Sequence, residues 1–288
     1  MIVTAINGGL GNQLFQYAAG RALAHLHQTE LVLDLSWFDL RPNRNTPRRF
    51  ELMNYPISGR LLDQSEKKVL RFYQGKILSR IHFLPRRWTI FREKSFHFDP
   101  KFFVLPNDVY LKGYWQSPLY FDAIRSILLD EFAPIHPPGP ANEILINEMS
   151  ATNSVSIHVR RGDYLSNPFA AKYHGVCSLE YYQEAIRLVE RSVEKPHFFV
   201  FSDDLEWAKS NIVFDHPVKF IGHNVGSNAF QDIRLISICK HQIIANSSFS
   251  WWGAWLNKNQ NKIVIAPKTW LLVQKDTSTL IPKEWIRL

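Results

Sequence analysis

The near-continuous apolar run from Ile2 to Ile6 has the length and branching of a buried strand. A loop with three glycines follows, Asn7-Gly8-Gly9-Leu10-Gly11-Asn12, then a helical stretch from about Gln13 to His27 and a second strand over Glu30 to Leu35. Strand, glycine-rich turn, helix and strand make a βαβ unit, whose bare amides and helix N-terminus offer a place for an anion. From Gln64 to Leu84, apolar Val69, Leu70, Phe72, Ile77, Leu78 and Ile81 are set among Lys67, Lys68, Arg71, Lys76 and Arg80, which predicts an amphipathic helix with a basic face. Val109 to Tyr114 predicts a strand, and Pro118 to Phe132 a helix after it.

Four prolines and a glycine between Ala133 and Pro140 cannot continue a helix or a central strand, so the domain boundary is expected just beyond them. This gives an N-terminal domain over 1–150, ending with a short helix near Asn142 to Met149, and a C-terminal domain over 151–288. In the second half, strands at Ser154 to Val159, His197 to Phe201, Val218 to Ile221, Gln242 to Ala245 and Lys262 to Ile265 alternate with helices. The helices are expected at about Leu179 to Val193, Leu205 to Asn211, Ala229 to Lys240 and Phe249 to Leu256. Regular alternation of this kind predicts a second parallel sheet, so the expected fold is α/β with two Rossmann-like domains.

With 288 residues, 45% of them hydrophobic, the chain is long enough for two cores. Its formal charge of +8 favours an acidic partner such as a nucleotide, a nucleic acid or an anionic membrane face. No zinc spacing, helix-turn-helix or RNA-recognition signature is present, so nucleic acid is not expected. Cys177 and Cys239 form no disulfide framework and read as buried, inert thiols in a reducing compartment. The N-terminus lacks the basic and long apolar regions of a secretory signal, and no segment reaches membrane-spanning length. The expected location is cytoplasmic, and the basic helix near Lys67 has two readings, an ordinary amphipathic helix or a peripheral contact with the inner face of the membrane.

Candidate chemistry gathers at predicted strand ends, where open parallel sheets bind ligands. After Ser154 to Val159 stands His158-Val159-Arg160-Arg161-Gly162-Asp163-Tyr164. Its arginines suit a phosphate, Gly162 permits a tight turn, and Asp163 has two readings: holding a guanidinium or taking a proton from a substrate. After His197 to Phe201 stand Asp203 and Asp204, fit for a ribose or a base and equally for a helix cap. Asp232 shares an apolar helix face with Leu235, Ile236 and Cys239 and needs a specific partner, which is either the amino edge of a guanine or Arg234 or a backbone amide. After Gln242 to Ala245 comes Asn246-Ser247-Ser248-Phe249-Ser250-Trp251-Trp252-Gly253-Ala254-Trp255, whose hydroxyls can cap a helix or bind a diphosphate at its positive end. At least two of the three tryptophans are expected in the core. Asn12 either caps its helix or reaches a sugar or phosphate. The pair Gly9 and Gly11 with Asp34 partly imitates a dinucleotide fingerprint, but Leu14 stands where the third glycine belongs.

Three motifs carry a resemblance. Gly8-Gly9-Leu10-Gly11-Asn12-Gln13-Leu14-Phe15-Gln16-Tyr17-Ala18, the arginine motif at His158 and the stretch from Ala245 to Trp255 together resemble glycosyltransferase family 11, the α-1,2-fucosyltransferases. The resemblance implies a GT-B-type pair of Rossmann-like domains, with GDP-fucose held mainly by the C-terminal one. It implies transfer of L-fucose, with inversion, to the 2-hydroxyl of a terminal β-galactoside in an O-antigen, lipopolysaccharide or H-type glycan. Related α-1,6- and protein O-fucosyltransferases share the arginine motif. By that likeness Arg160 contacts the donor's β-phosphate beside His158, while Ser248, Phe249 and Ser250 line the diphosphate with Ser247 and Arg161 near them. Asp232 then meets the guanine, Asn12 the fucose or acceptor side, and Asp203 matches a weaker acidic motif. Asp163 is the leading base candidate, with His174 and Glu180 in reserve. No cofactor is implied, and the adjacent pair Asp203-Asp204 departs from the Asp-X-Asp metal motif, so no metal is expected. A reading from another class remains beside this one, a non-catalytic binder of sulfated glycan or nucleic acid acting through the basic N-terminal half.

Overall fold

A computed structural model of the chain describes residues 1–39, 48–68, 89–162 and 168–288. It divides into two units, Met1–Leu52 with Ile57–Glu131, and Met53–Pro56 with Phe132–Leu288. In the first unit β1 (Ile2–Ala5), β2 (Leu31–Asp34), β3 (Arg60–Leu61), β4 (Thr89–Arg92) and β5 (Val109–Lys112) form a parallel sheet in the order β3-β2-β1-β5-β4. The helix α1 (Leu10–Leu26) joins β1 to β2, as the βαβ pattern predicts, and buries Leu14, Phe15, Tyr17, Ala18 and Leu23. It starts earlier than expected because Gly11 and Asn12 already take helical positions.

The expected helix over Pro118 to Phe132 is broken. Two 3₁₀ turns, Pro118–Tyr120 and Asp122–Ile124, precede a short α-helix, Arg125–Glu131. Tertiary packing overrides the helical periodicity here: Tyr120 and Phe121 are both buried, Phe121 against Phe15 with ring centroids 5.9 Å apart, and Phe121 leaves helical geometry at φ −144° to get there. The basic amphipathic stretch is helical over 64–68, and the rest of it lies outside the described residues. Among the described residues no helix is long and apolar enough to cross a membrane.

In the second unit β6 (Asn153–Val159), β7 (Pro196–Ser202), β8 (Val218–Ile221), β9 (His241–Ile243), β10 (Val264–Ala266) and β11 (Ile286–Arg287) are again all parallel, in the order β11-β10-β9-β6-β7-β8. With α2 (Ser36–Asp39) and α3 (Arg125–Glu131) in the first unit, the helices here are α4 (Pro140–Ala151), α5 (Pro168–His174), α6 (Leu179–Ser192), α7 (Leu205–Asn211), α8 (Phe230–Ile238) and α9 (Ser248–Leu256). The units part at Glu131 and Phe132 rather than at 150. The reason is packing: Leu145 and Met149 of α4 are buried with Phe199, Phe201, Leu235 and Ile236, so this helix belongs to the second core.

The alternation in β6 predicts one wet face, yet both are covered. Val155, Ile157 and Val159 face one core, and Ser154, Ser156 and His158 are buried on the other side. A central parallel strand has helices over both faces, and the small serines fit beneath them. From β6 the chain builds outward through β7 and β8, then returns to place β9 against the opposite edge of β6. The order of strands therefore reverses between β6 and β9, and a ligand crevice forms at the carboxyl ends flanking such a reversal. The arginine motif leaves β6 there, and the serine-tryptophan motif leaves β9 there.

Trp251, Trp252 and Trp255 are all core residues. Gly253 lets α9 approach α8, since a Cβ on it would stand 2.3 Å from Ile236 Cγ2 and 2.8 Å from Ile236 Cβ. Gly253→Ala is expected to lower unfolding stability by about 1–3 kcal/mol in urea titrations, the overpacking outweighing the roughly 1 kcal/mol gained in helix propensity.

Candidate functional site

Asp203, the first residue after β7, gathers the arginine motif. Its Oδ1 accepts the backbone N–H of Arg161 at 2.8 Å, and its Oδ2 lies 3.1 Å from Arg160 Nη1. A Cβ on Gly162 would stand 3.0 Å from the same Oδ2, a tight contact that glycine avoids. The side chain of Arg161 turns the other way. It lies 3.7 Å over the centre of the Trp207 ring, with Nε 3.5 Å from Asp204 Oδ2. Asp204 also caps α7, accepting from the Trp207 N–H at 3.2 Å. The two adjacent aspartates thus divide the work: Asp203 holds the loop and Arg160, and Asp204 holds Arg161 and the helix.

His158 is 5% exposed and stacks on Phe249, in the first turn of α9, with centroids 5.6 Å apart and planes 29° from parallel. Burial first, and then the charge of Arg160, push its pKa down to about 4 against the pull of Asp203. The ring is therefore neutral at physiological pH, and its Nδ1 is buried without a hydrogen-bond partner. Ser247 is the N-cap of α9 and accepts from the Phe249 N–H at 3.3 Å. Ser250 is fully buried and donates to the Ser247 carbonyl at 3.4 Å, whereas Ser248 and Phe249 remain partly exposed. Asn246 is structural: its Nδ2 donates to the carbonyls of His174 and Gly175 at 2.9 and 3.2 Å. The structure therefore brings His158, Arg160, Arg161, Asp203 and Phe249 together at the reversal between β6 and β9.

Asp232 lies on α8 in a separate polar network. Its partner is neither Arg234 nor a backbone amide at the carboxylate. Asn224 Nδ2 donates to Asp232 Oδ1 at 2.8 Å, while Arg234 bonds Gln231 Oε1 at 2.7 Å and the Pro134 carbonyl at 3.1 Å. Burial pushes the Asp232 carboxyl up to about 7, with the Asn224 bond opposing.

In the first unit Asn12 does not cap α1. Gly9 is the N-cap, and Asn12 Oδ1 accepts from Gln116 Nε2 at 2.8 Å, which ties the first turn of α1 to the segment after β5. Asp34 is unsuited to a ribose. Its Oδ1 accepts from the Ser36 N–H and hydroxyl at 2.9 and 2.6 Å, and its Oδ2 accepts from the Tyr110 hydroxyl at 2.8 Å. With Leu14 fully buried where a glycine would be needed, the dinucleotide imitation ends there.

Asp163 lies outside the described residues. Of the reserves, Glu180 is exposed, and its own backbone amide and Ser178 hold its pKa below the usual carboxylate value, which weakens it as a base; His174 closes α5. Cys177 Sγ donates to Asn246 Oδ1 at 3.5 Å and burial raises the thiol to about 11, while Cys239 is fully buried and raised further. Among the described residues no cluster of three His, Cys, Asp or Glu side chains is set to hold a metal ion. Sequence reasoning missed Trp207, Gln116 and Asn224. A tryptophan four residues after Asp203 was a readable signal for arginine stacking, but the partners of Asn12 and Asp232 come from distant segments and left none.

Comparisons with known proteins bear on the family and the fold. The glycosyl transferase family 11 profile matches residues 61–288. The O-antigen biosynthesis glycosyltransferase WbnK of Escherichia coli is 34% identical over 99% of this chain and 99% of its own length, and an Escherichia coli alpha-1,2-colitosyltransferase is 36% identical over 100% and 99%. A Bos taurus galactoside 2-alpha-L-fucosyltransferase, SEC1, is 30% identical over 51% of this chain and 42% of its own. Among solved structures, a mutant Arabidopsis thaliana FUT1 in complex with GDP superposes with a TM-score of 0.50 at 12% identity, covering 91% of this chain and 69% of that one, which bears on the fold alone. The two Rossmann-like units with parallel sheets are of the GT-B type, and the chain belongs to glycosyltransferase family 11.

Proposed function

We propose that the protein transfers L-fucose from GDP-β-L-fucose to the 2-hydroxyl of a terminal β-galactoside, in an O-antigen or related glycan. The observation that carries the reading is the position of Arg160, held by Asp203 just past β6, two residues after His158, whose ring stacks on Phe249 in the first turn of α9. Breaking the bond from C1 of the sugar to the diphosphate leaves negative charge on the β-phosphate. A guanidinium and a helix N-terminus already in place stabilise that charge more in the transition state than in the ground state. The acceptor hydroxyl attacks C1 opposite the departing GDP, so a β donor gives an α product. Ser247, Ser248 and Phe249 flank the diphosphate in this reading, while Ser250, whose hydroxyl is spent on Ser247, shapes the turn from within.

His158 serves as a neutral wall. Asp163 remains the proposed base. Asp203 acts on the donor through Arg160, since both of its oxygens are already engaged. With Asp203 and Asp204 each paired to an arginine, the cationic side chains take the role that a divalent metal fills at other sugar-nucleotide sites. The reading carries with it a cytoplasmic location and peripheral contact with an anionic membrane face, in keeping with the net charge of +8.

Colitosyl transfer is a second reading, favoured by the 36% identity to a colitosyltransferase across the whole chain. Colitose is fucose without its 3-hydroxyl, so both donors present the same leaving group and the same inversion. Incubation with GDP-fucose or GDP-colitose and a panel of β-galactosides separates the two. Transfer of neither sugar would overturn the family-level reading of the donor.

Arg160→Lys is expected to reduce turnover about 100- to 1,000-fold with the donor saturating, because a point charge replaces a planar fork at the leaving group. Unaltered turnover in that variant removes Arg160 from the mechanism. Rates with and without a chelator are expected to agree, and a loss restored by added divalent cation would contradict the arginine-only account.

Stability should also carry the signature of His158. The imidazole's folded pKa of about 4 lies below its unfolded value, so the unfolded chain binds more protons between the two and stability falls as pH drops through that window. The expected cost is about 2 kcal/mol at pH 5 relative to pH 8. His158→Gln should remove most of that difference in urea titrations at the two pH values. An unchanged difference would assign the acid sensitivity to other groups.

A further inference from the structure

We propose that Asn224 is a positioning residue for the nucleotide base: a network of hydrogen bonds of fixed direction, anchored on the Pro138 carbonyl and running through Asn142 and Asn224, sets Asp232 as an acceptor for the two adjacent N–H donors of guanine. The inference rests on the reading of the second unit as a GDP-sugar site. The network's direction follows from donor and acceptor chemistry. A backbone carbonyl only accepts, so Asn142 must turn its Nδ2 to Pro138 O, at 2.9 Å. The second Nδ2 hydrogen of Asn142 then goes to Asn224 Oδ1 at 3.0 Å. Asn142 Oδ1 is left facing His223 Nε2 at 2.7 Å and Asn224 Nδ2 at 3.1 Å, so the histidine nitrogen donates.

This leaves Asn224 one remaining N–H, and it points at Asp232 Oδ1, 2.8 Å away. Both asparagines are buried, and turning either amide over would set oxygen against oxygen at two contacts. Asn224 sits just past the carboxyl end of β8, Asn142 in the first turn of α4 and Asp232 in the first turn of α8. Three elements thus meet in one network. Asp232 is only partly exposed, Asn224 occupies one of its oxygens, and Oδ2 has no protein partner among the described residues, which leaves it open to a ligand's donors. Guanine supplies the missing donors side by side, through N1–H and the 2-amino group. Hypoxanthine supplies one of the two, and adenine offers an acceptor at N1, where it meets the carboxylate badly.

A network that merely tied the proline-rich segment to the helices would affect all nucleotides alike. The test is therefore a set of dissociation constants for GDP, IDP and ADP with the full chain, measured by calorimetry. Wild-type protein is expected to bind GDP about 10- to 100-fold more tightly than ADP, with IDP between them. Asn224→Leu should weaken GDP about tenfold or more, shift ADP little and so collapse the preference. Asn224→Ser, which keeps a hydroxyl for Asn142 but falls short of Asp232, is measured beside it in case the leucine variant does not fold, and should lose preference in the same direction. Equal losses for GDP and ADP, or a preserved preference in a folded variant, overturn the role of Asn224 while leaving the guanine reading intact. A wild-type protein that does not distinguish GDP from ADP overturns the guanine reading of Asp232 itself.

Discussion

The carboxylate of Asp203 is the constraint on which the second unit's working end depends. One oxygen fixes the backbone of the loop after β6 and the other fixes Arg160, so a single anion sets both the path of the chain and the direction of the cation. Gly162 packs closely against it, so that a side chain at that position would press on the carboxylate. An arginine offered to a ligand from an exposed loop would spend much of its rotamer freedom on binding. Here part of that freedom is already restricted by the fold, through the ion pair with Asp203.

Topology explains why these residues meet at all. His158 and Phe249 are far apart in sequence, and they become neighbours only because the chain returns from β8 to set β9 beside β6. The first unit repeats the device. Its strands run from β1 outward to β3 and return to set β5 against β1, and the Asn12–Gln116 hydrogen bond spans the resulting reversal. Both glycine-rich and arginine-rich motifs are therefore read best as strand-end segments at a change of winding direction. Their residues alone say less than their places in the two sheets.

The sequence made much of this legible because its strongest signals are local. The run from Ile2 to Ile6, the glycine turn and the alternation after 153 each follow from the period of one element, and each appears in place. Failures occur where distant packing decides. Phe121 breaks its helix to reach Phe15, Leu145 and Met149 join a core that begins beyond the proline-rich segment, and β6 hides both faces because helices cover a central parallel strand. At the site, the arginine motif and the serine cap could be read from residue type. The partners of Asp232 and Asn12 could not, since Asn224 and Gln116 carry no periodic signal and become relevant only through a fold that brings separate strand ends together.

Charge bookkeeping at the site separates a catalytic pocket from a basic surface. Arg160 and Arg161 are matched by Asp203 and Asp204, and His158 is neutral, so the cluster contributes almost nothing to the chain's net charge of +8. A surface that bound polyanions through its field would gain from unpaired cations and would weaken steadily with salt. In the proposed reading this cluster would recognise an anion by direction, through a guanidinium fork held at one edge and the N–H groups at the start of α9. The pairing also offsets the cost of keeping two partly buried cations in one loop. A site neutral in sum yet polarised in detail suits a reaction in which negative charge moves from a glycosidic oxygen to a departing phosphate, because the work lies in where the donors point.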